Sequence, residues 1–363
     1  MSGAAIKIPA AATDDTTLPG SACPLPVTQR EHIVLGHGSG GKLSAQLLEN
    51  VFLPAFRNPL LDKLDDQAVL EIGGSRLAFT TDSFVVTPIF FPGGDIGRLA
   101  INGTVNDLAM SGARPLYLAA AFILEEGLAT ADLRRVVESM SKSAHDAGVQ
   151  LVTGDTKVVN KGKGDQIFIA TTGIGLIEKP VNIFASRTRP GDKIILSGYV
   201  GDHGMAILSQ RENLEFEGVI ESDCAPLHGL VADMLEATLD IHTLRDPTRG
   251  GVATVLNEIA NQSKVGMLIH ESEILVSDRV RGACEILGLD PLFVANEGKL
   301  IATVPANAAE AVLHKMWANP LGRDARIIGE VVAEHPGMVR MKTEIGGTRI
   351  VDTLFGEQLP RIC

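Results

Sequence analysis

Cysteine is scarce, with only Cys23, Cys224, Cys284 and Cys363 in 363 residues. No two of them form a CxxC pair and none sits with a histidine in a zinc pattern, so neither a zinc site nor a disulfide framework is expected. Positive charge is also short: 32 Lys and Arg face 44 Asp and Glu, for a formal net charge of -12. Such a surface repels a phosphate backbone and speaks against nucleic-acid binding as the main task. No apolar run approaches the ~18 residues that cross a bilayer. The opening MSGAAIKIPAAATDD lacks the basic and apolar regions of a secretory signal. A cytoplasmic protein with no membrane partner is the expectation. Aromatics are few at 4% while glycine reaches 38 residues, but glycine serves ordinary turns as well as close ligand approach, so its number decides nothing.

Apolar residues make up 45% and charged residues 21% of the chain, enough for a packed core. The length suggests about two domains. Residues 1–28 are aperiodic and read as a mobile extension. From Ile33 short apolar runs alternate with helical patterns. Ala68–Ile72 and Arg76–Thr81 read as strands joined by Gly73-Gly74. Asp95–Met110 reads as a helix, and Thr130 as the cap of a second helix running to Gly148. Strands follow at Gln150–Thr153 and Gln166–Gly175. The prolines and charges of EKPVNIFASRTRPGD mark a boundary, which gives domains at 29–178 and 190–355. Within the second domain, helices are expected near His203–Arg211, Ala225–Leu239 and Ala253–Ala260. The last residues, 356–363, hold too little apolar surface to be a core element and read as a flexible tail.

Five segments can carry chemistry. Gly36–Lys42, GHGSGGK, meets the GxxxxGK spacing, but Leu43 stands where a phosphate loop of that kind needs Ser or Thr for magnesium. A plain flexible loop and another type of phosphate loop both remain. Asp65-Asp66, Asp82, Asp107 and Asp155 each end an apolar run or lie just inside a helix, where carboxylates suit magnesium and a triphosphate; turn filling and capping are the alternatives. RDPTRGG at Arg245–Gly251 leads into a helical pattern and suits a phosphate group, or is a loop capped by Thr248. NEGK at Asn296–Lys299 fits a hairpin turn on spacing alone. Cys363 is last, not fourth from the end, so prenylation is not expected. Eight extended residues after a Gly356 hinge reach about 28 Å, so the tail could carry a covalently held group between sites.

Together GHGSGGK, TTDSFVVTPIFFPGGDIGRLAINGTVNDLAMSGARPLYL, TGDTKVV, RDPTRGGVA, NEGK and the terminal PRIC closely resemble the HypE family of hydrogenase maturation factors. These are carbamoyl dehydratases of the aminoimidazole ribonucleotide synthetase (PurM-like) superfamily, and the likeness runs from Glu31 to Cys363. The resemblance implies an α/β (α+β) protein of two PurM-like domains: an N-terminal sheet domain forming a homodimer and a C-terminal α/β sandwich. It implies ATP near the dimer interface, a carbamoyl transferase partner (HypF) that loads a carboxamide on Cys363, and ATP-dependent dehydration of that group to a thiocyanate. The cyano group then passes to iron on a HypC–HypD scaffold.

By the same resemblance Cys363 is the carrier, Glu297 the proton acceptor and Lys157 a charge stabiliser. His37, Gly38, Ser39, Gly40, Gly41, Lys42, Asp107, Arg249 and Gly250 are the nucleotide candidates. Asp66, Asp82, Asp107 and Asp155 are the candidates for Mg2+, with Asp65 able to replace Asp66. Arg361 is expected to steer the tail or to neutralise its terminal carboxylate. The alternatives are a non-catalytic maturation scaffold, a small-molecule kinase or a selenophosphate synthetase of the same superfamily. The last would place Cys or selenocysteine in the glycine-rich loop, where Ser39 and glycines stand.

Overall fold

A computed structural model describes residues 32–214, 218–356 and 362–363. The expected extension at 1–28 with its Cys23, and Arg361, lie outside the described residues. All described helices and strands belong to the compact unit Leu35–Cys363.

The first sheet holds strands β1 (Ala68–Ile72), β2 (Ser75–Phe84), β3 (Arg114–Glu125), β4 (Gln150–Val159) and β5 (Ile167–Leu176), in the order β1-β2-β5-β3-β4. The hairpin at Gly73-Gly74 pairs Ala68 with Phe79 as expected. All neighbours are antiparallel except β3 and β4. Helix α3 (Thr130–Asp146) connects that parallel pair, as a crossover between parallel strands requires. Thr130 is the first helical residue rather than the cap; Ala129 holds the cap position and no side chain closes it.

Helix α2 (Ile96–Ala109) lies between this sheet and α3 and is buried on almost every side. Asp95 starts it by accepting from the N–H groups of Gly97 and Arg98, two of the donors a helix leaves unpaired at its first turn. Small residues make such burial possible. A Cβ on Gly103 would lie 2.8 Å from Phe84 Cζ, so only glycine lets the helix pass this close to β2.

The second sheet runs β12-β11-β8-β10-β6-β9-β7. Its strands are β6 (Lys193–Leu196), β7 (Thr243–Arg245), β8 (Gly266–His270), β9 (Ile301–Val304), β10 (Arg326–Val332), β11 (Val339–Lys342) and β12 (Thr348–Val351). Alternation along β6 serves two cores. Ile194 and Leu196 join the cluster of helix α6 (Gly251–Ser263), while Ile195 joins that of α5 (His228–Ala237) and α8 (Ala306–Ala318). Each such side chain, fully buried, contributes ~1.5–3 kcal/mol. Both faces are therefore covered, and the second of these clusters continues into the packing around α2. Three further helices are α1 (Lys42–Leu47), α4 (Asp202–Arg211) and α7 (Asp278–Leu287). Among the described residues no helix is long and apolar enough to cross a membrane.

Candidate active site

Period-two alternation on β2 turns Ala78, Thr80, Asp82 and Phe84 toward α2, where the first, second and fourth are buried. Asp107 lies one helical turn beyond Gly103, on the same face of α2. Thr80 Oγ1 donates to Asp107 Oδ2 at 2.7 Å. Asp82 and Asp107 line a cavity of about 260 Å³, whose wall also includes Asp66, Asp246, Glu258 and Glu297, with Arg245, Arg249 and Cys363. Six carboxyl groups thus share one space with two guanidinium groups.

Such crowding decides the charge states. Burial raises Asp82, Glu258 and, more strongly, Asp66, Asp107 and Glu297 above the ordinary carboxylate range. Like charges add to the effect at Asp107 and Glu297, whereas Arg245 opposes it at Asp66 and Arg249 opposes it at Asp82. Asp246 is pushed up to about 6 by burial and by Asp82. The Cys363 thiol is pushed up to about 12 by burial, against the pull of Arg249. A thiol held neutral here is a poor nucleophile.

Asp65 and Asp66 separate clearly. Asp66 Oδ1 meets Arg245 Nε at 2.7 Å in the cavity wall, while Asp65 Oδ1 accepts from the N–H of Ala185 at 3.1 Å. Three buried oxygens of the wall lack a hydrogen-bond partner: Asp66 Oδ2, Glu297 Oε1 and Thr254 Oγ1. Unpaired buried polar atoms are costly, and hard oxygens of this kind suit a magnesium ion that keeps water and phosphate oxygens in its shell. Among the described residues no three acidic, histidine or cysteine side chains are gathered as a ready metal site, so an ion here would depend on its substrate for much of its shell.

NEGK is not a hairpin turn. Asn296 Oδ1 accepts from Gly201 N–H at 2.8 Å and its Nδ2 donates to Pro247 O at 3.0 Å. Asp223 takes the N–H of Glu297 at 3.0 Å and the Lys299 ammonium at 3.1 Å. Burial works against the Asp223 charge, yet Lys299 and that N–H hold its carboxyl below the usual range. These bonds fix the backbone from which Glu297 enters the cavity.

The glycine-rich loop contributes less than expected. Gly40 lines the cavity at φ +76, and a Cβ there would lie 2.8 Å from the carbonyl oxygen of Arg249. Gly38 O accepts from Arg249 at 3.4 Å. His37, Ser39, Gly41 and Lys42 are not in the wall; Lys42 pairs with Asp352 at 2.6 Å on the surface. Gly250, not Thr248, caps α6, and Thr248 lines the cavity instead.

Asp155 and Lys157 stand apart from the other candidates within the chain. They pair with Ala121 and Ile123 of β3, whose odd-numbered side chains turn away from α2. A register shift at Leu118/Ala119 sets this facing. Both residues therefore stand on the outer face of the first sheet, exposed and ion-paired to each other at 2.6 Å. Within one chain the sheet separates them from Asp66, Asp82 and Asp107.

The last two residues of the tail are seated against the protein. Ile362 is buried in the core, bridges to Val86, and is followed by Cys363 in the cavity wall. Asp246, Glu258 and Thr254 also line the cavity and were not among the expected site residues. Asp246 precedes the glycine-led start of α6, and Thr254 and Glu258 lie one turn apart on that helix, a spacing that was available to read.

The family models for the AIR synthase related protein match this chain at residues 64–177 (N-terminal domain) and 189–342 (C-terminal domain). Carbamoyl dehydratase HypE of Azotobacter vinelandii is 58% identical over 327 residues, covering 90% of this chain and 96% of that protein. The chain belongs to the HypE family of carbamoyl dehydratases. Its fold is similar to HypE in a crystallised HypE–HypF complex, with TM-score 0.81 and 49% identity over 85% of this chain and 99% of that one. A HypE crystal structure in complex with ATP has TM-score 0.77 and 52% identity, covering 92% of this chain and all of that one. The PurM-like α/β architecture that the resemblance implies is the one observed, and the scaffold, kinase and selenophosphate synthetase alternatives are not favoured.

Proposed function

We propose that the chain uses ATP to dehydrate a carboxamide carried on its own Cys363, forming a thiocyanate that supplies cyanide ligands to a nickel–iron hydrogenase. The observation that carries this reading is Cys363 itself, in the wall of an acidic cavity beside Arg249 and Glu297.

An amide oxygen is a poor leaving group. In the proposed reaction it attacks the γ-phosphorus of ATP, the bond to the bridging oxygen of ADP breaks, and the carbon becomes an O-phosphorylated imidate after loss of one N–H proton. Removal of the second N–H proton then drives the C–O electron pair out with phosphate, and C≡N remains on sulfur. Arg249, raised in pKa chiefly by Cys363, keeps a permanent positive charge at the reacting end. Glu297, whose proton affinity burial raises, is the proton acceptor in its ionised form, and removal of a proton by a positioned carboxylate is worth ~10²–10⁴ in rate. Magnesium would be held by Asp66, Asp82, Asp107 and Asp246, neutralising phosphate charge and favouring the ionised form of carboxyls that burial keeps protonated.

Asp155 and Lys157 enter this scheme through a second copy. Phe79, Ile174 and Tyr117 lie side by side on the outer face of the first sheet, all exposed. An apolar face of this kind suits a homodimer, which would bring Lys157 and Asp155 of one subunit toward the other's nucleotide. Domains at 29–178 and 190–355, a carrier tail at 356–363, loading by HypF, delivery to HypC–HypD and a cytoplasmic location complete the reading. The test is coupling: ATP hydrolysis should rise sharply when Cys363 has been carbamoylated by the transferase and carbamoyl phosphate. Hydrolysis at the same rate without carbamoylation would overturn the reading.

A further inference from the structure

Histidine 203 does not line the cavity, and the proposed dehydration has no step for it. It lies in the first turn of α4, fully buried, with Nε2 2.6 Å from the carbonyl oxygen of Ile362. A carbonyl only accepts, so Nε2 carries the proton. Nδ1 then accepts from Ser222 Oγ at 2.8 Å. Ser222 is fixed in turn: its N–H donates to Pro92 O at 2.9 Å, and its Oγ accepts from Cys224 N–H at 3.1 Å. The edge of Phe91 closes another side, with ring centroids 5.6 Å apart. Burial lowers the imidazole pKa, against the nearby Asp223 charge and the bond to Ile362.

We propose that His203, oriented by Ser222, is the latch that seats the terminal dipeptide and so sets how long the Cys363 thiol stays in the cavity. The latch is a positioning device. It acts on the main chain one residue before the carrier, beside the Val86–Ile362 bridge and the bond from Val85 N–H to the Cys363 carboxylate at 3.1 Å. When the tail withdraws, a buried N–H loses its partner, so the imidazole favours return of the tail. The structure offers a reason for such control. The seated thiol is neutral and partly buried in the cavity wall, so loading with carboxamide calls for release and dehydration calls for seating. This inference rests on the carrier reading of Cys363, but its test does not need dehydratase activity.

The full chain is treated with excess iodoacetamide, and alkylation of the terminal peptide is followed by mass spectrometry, which separates it from peptides bearing Cys23, Cys224 and Cys284. His203→Phe keeps a ring and removes the donor; alkylation of Cys363 should accelerate roughly tenfold, the scale of one lost hydrogen bond. Ser222→Ala should move it the same way by less, and His203→Gln, which keeps an N–H, should return it toward the parent rate. Unchanged alkylation in His203→Phe and Ser222→Ala, or a Gln variant as fast as Phe, overturns the latch. Should His203→Phe fail to fold, Ser222→Ala decides alone. A parent protein that is carbamoylated but never dehydrates would overturn the proposed function and leave the alkylation result standing.

Discussion

The main-chain N–H of Val85 donates to the terminal carboxylate of Cys363 at 3.1 Å. Strand β2 delivers Asp82 to the cavity and ends at Phe84, and the next residue holds the end of the chain. One stretch of backbone thus places an acidic side chain and the carrier thiol in the same wall. Cys363→Ala should keep ATP binding and abolish thiocyanate formation, checked by calorimetry and by mass analysis of the terminal peptide.

Glu297 is buried, with Oε1 unpartnered. Glu297→Gln should lower single-turnover dehydration by ~10²–10⁴, the range for losing a general base. Thermal stability should stay level or rise, because the substitution removes an acid whose ionised form burial disfavours. A variant that dehydrates at the parent rate excludes Glu297 as the proton acceptor.

Asp246 contributes a pH dependence with a definite sign. Its folded value of about 6 lies above the ordinary 3.8, so the folded protein keeps a proton that the unfolded chain has released. Its contribution to stability is therefore lost as pH rises from about 4 to about 6. Asp246→Asn should abolish this loss, on the order of 1–3 kcal/mol. Denaturant unfolding of nucleotide-free protein at pH 5 and pH 7 measures it: the parent should lose more stability than the variant across that interval.

Phe79 and Lys157 test the second copy. Phe79→Glu places a charge among the exposed apolar side chains of the outer face and should yield monomers in sedimentation, with loss of dehydration. Lys157→Ala and Cys363→Ala are each expected to be inactive alone. Mixed subunits should recover activity, since one carries the thiol and the other the ammonium. No recovery would mean that Lys157 serves its own chain or does not serve the reaction.

How far the site could be read from sequence depended on the range of each interaction. The β1–β2 hairpin, α2 and the α6 start follow from local periodicity and glycine placement, and they were legible. Asp66, Asp82, Asp107, Arg249, Glu297 and Cys363 were named in advance and line one cavity. The facing of Lys157 was not legible because it depends on a register shift against β3, a pairing between distant segments. NEGK looked like a turn because its flanks are apolar; the bonds that hold it come from Asp223, Gly201 and Pro247, invisible to local spacing. The tail looked featureless for the same reason, since the seat of Ile362 is built by Val86 and His203.

The most direct measurement is the infrared spectrum of the protein after incubation with the transferase, ATP and carbamoyl phosphate labelled at its carbonyl carbon. A nitrile band that shifts with the label and vanishes in Cys363→Ala is the predicted result. A labelled terminal carboxamide that persists with no nitrile band, while ATP is consumed, would contradict the account.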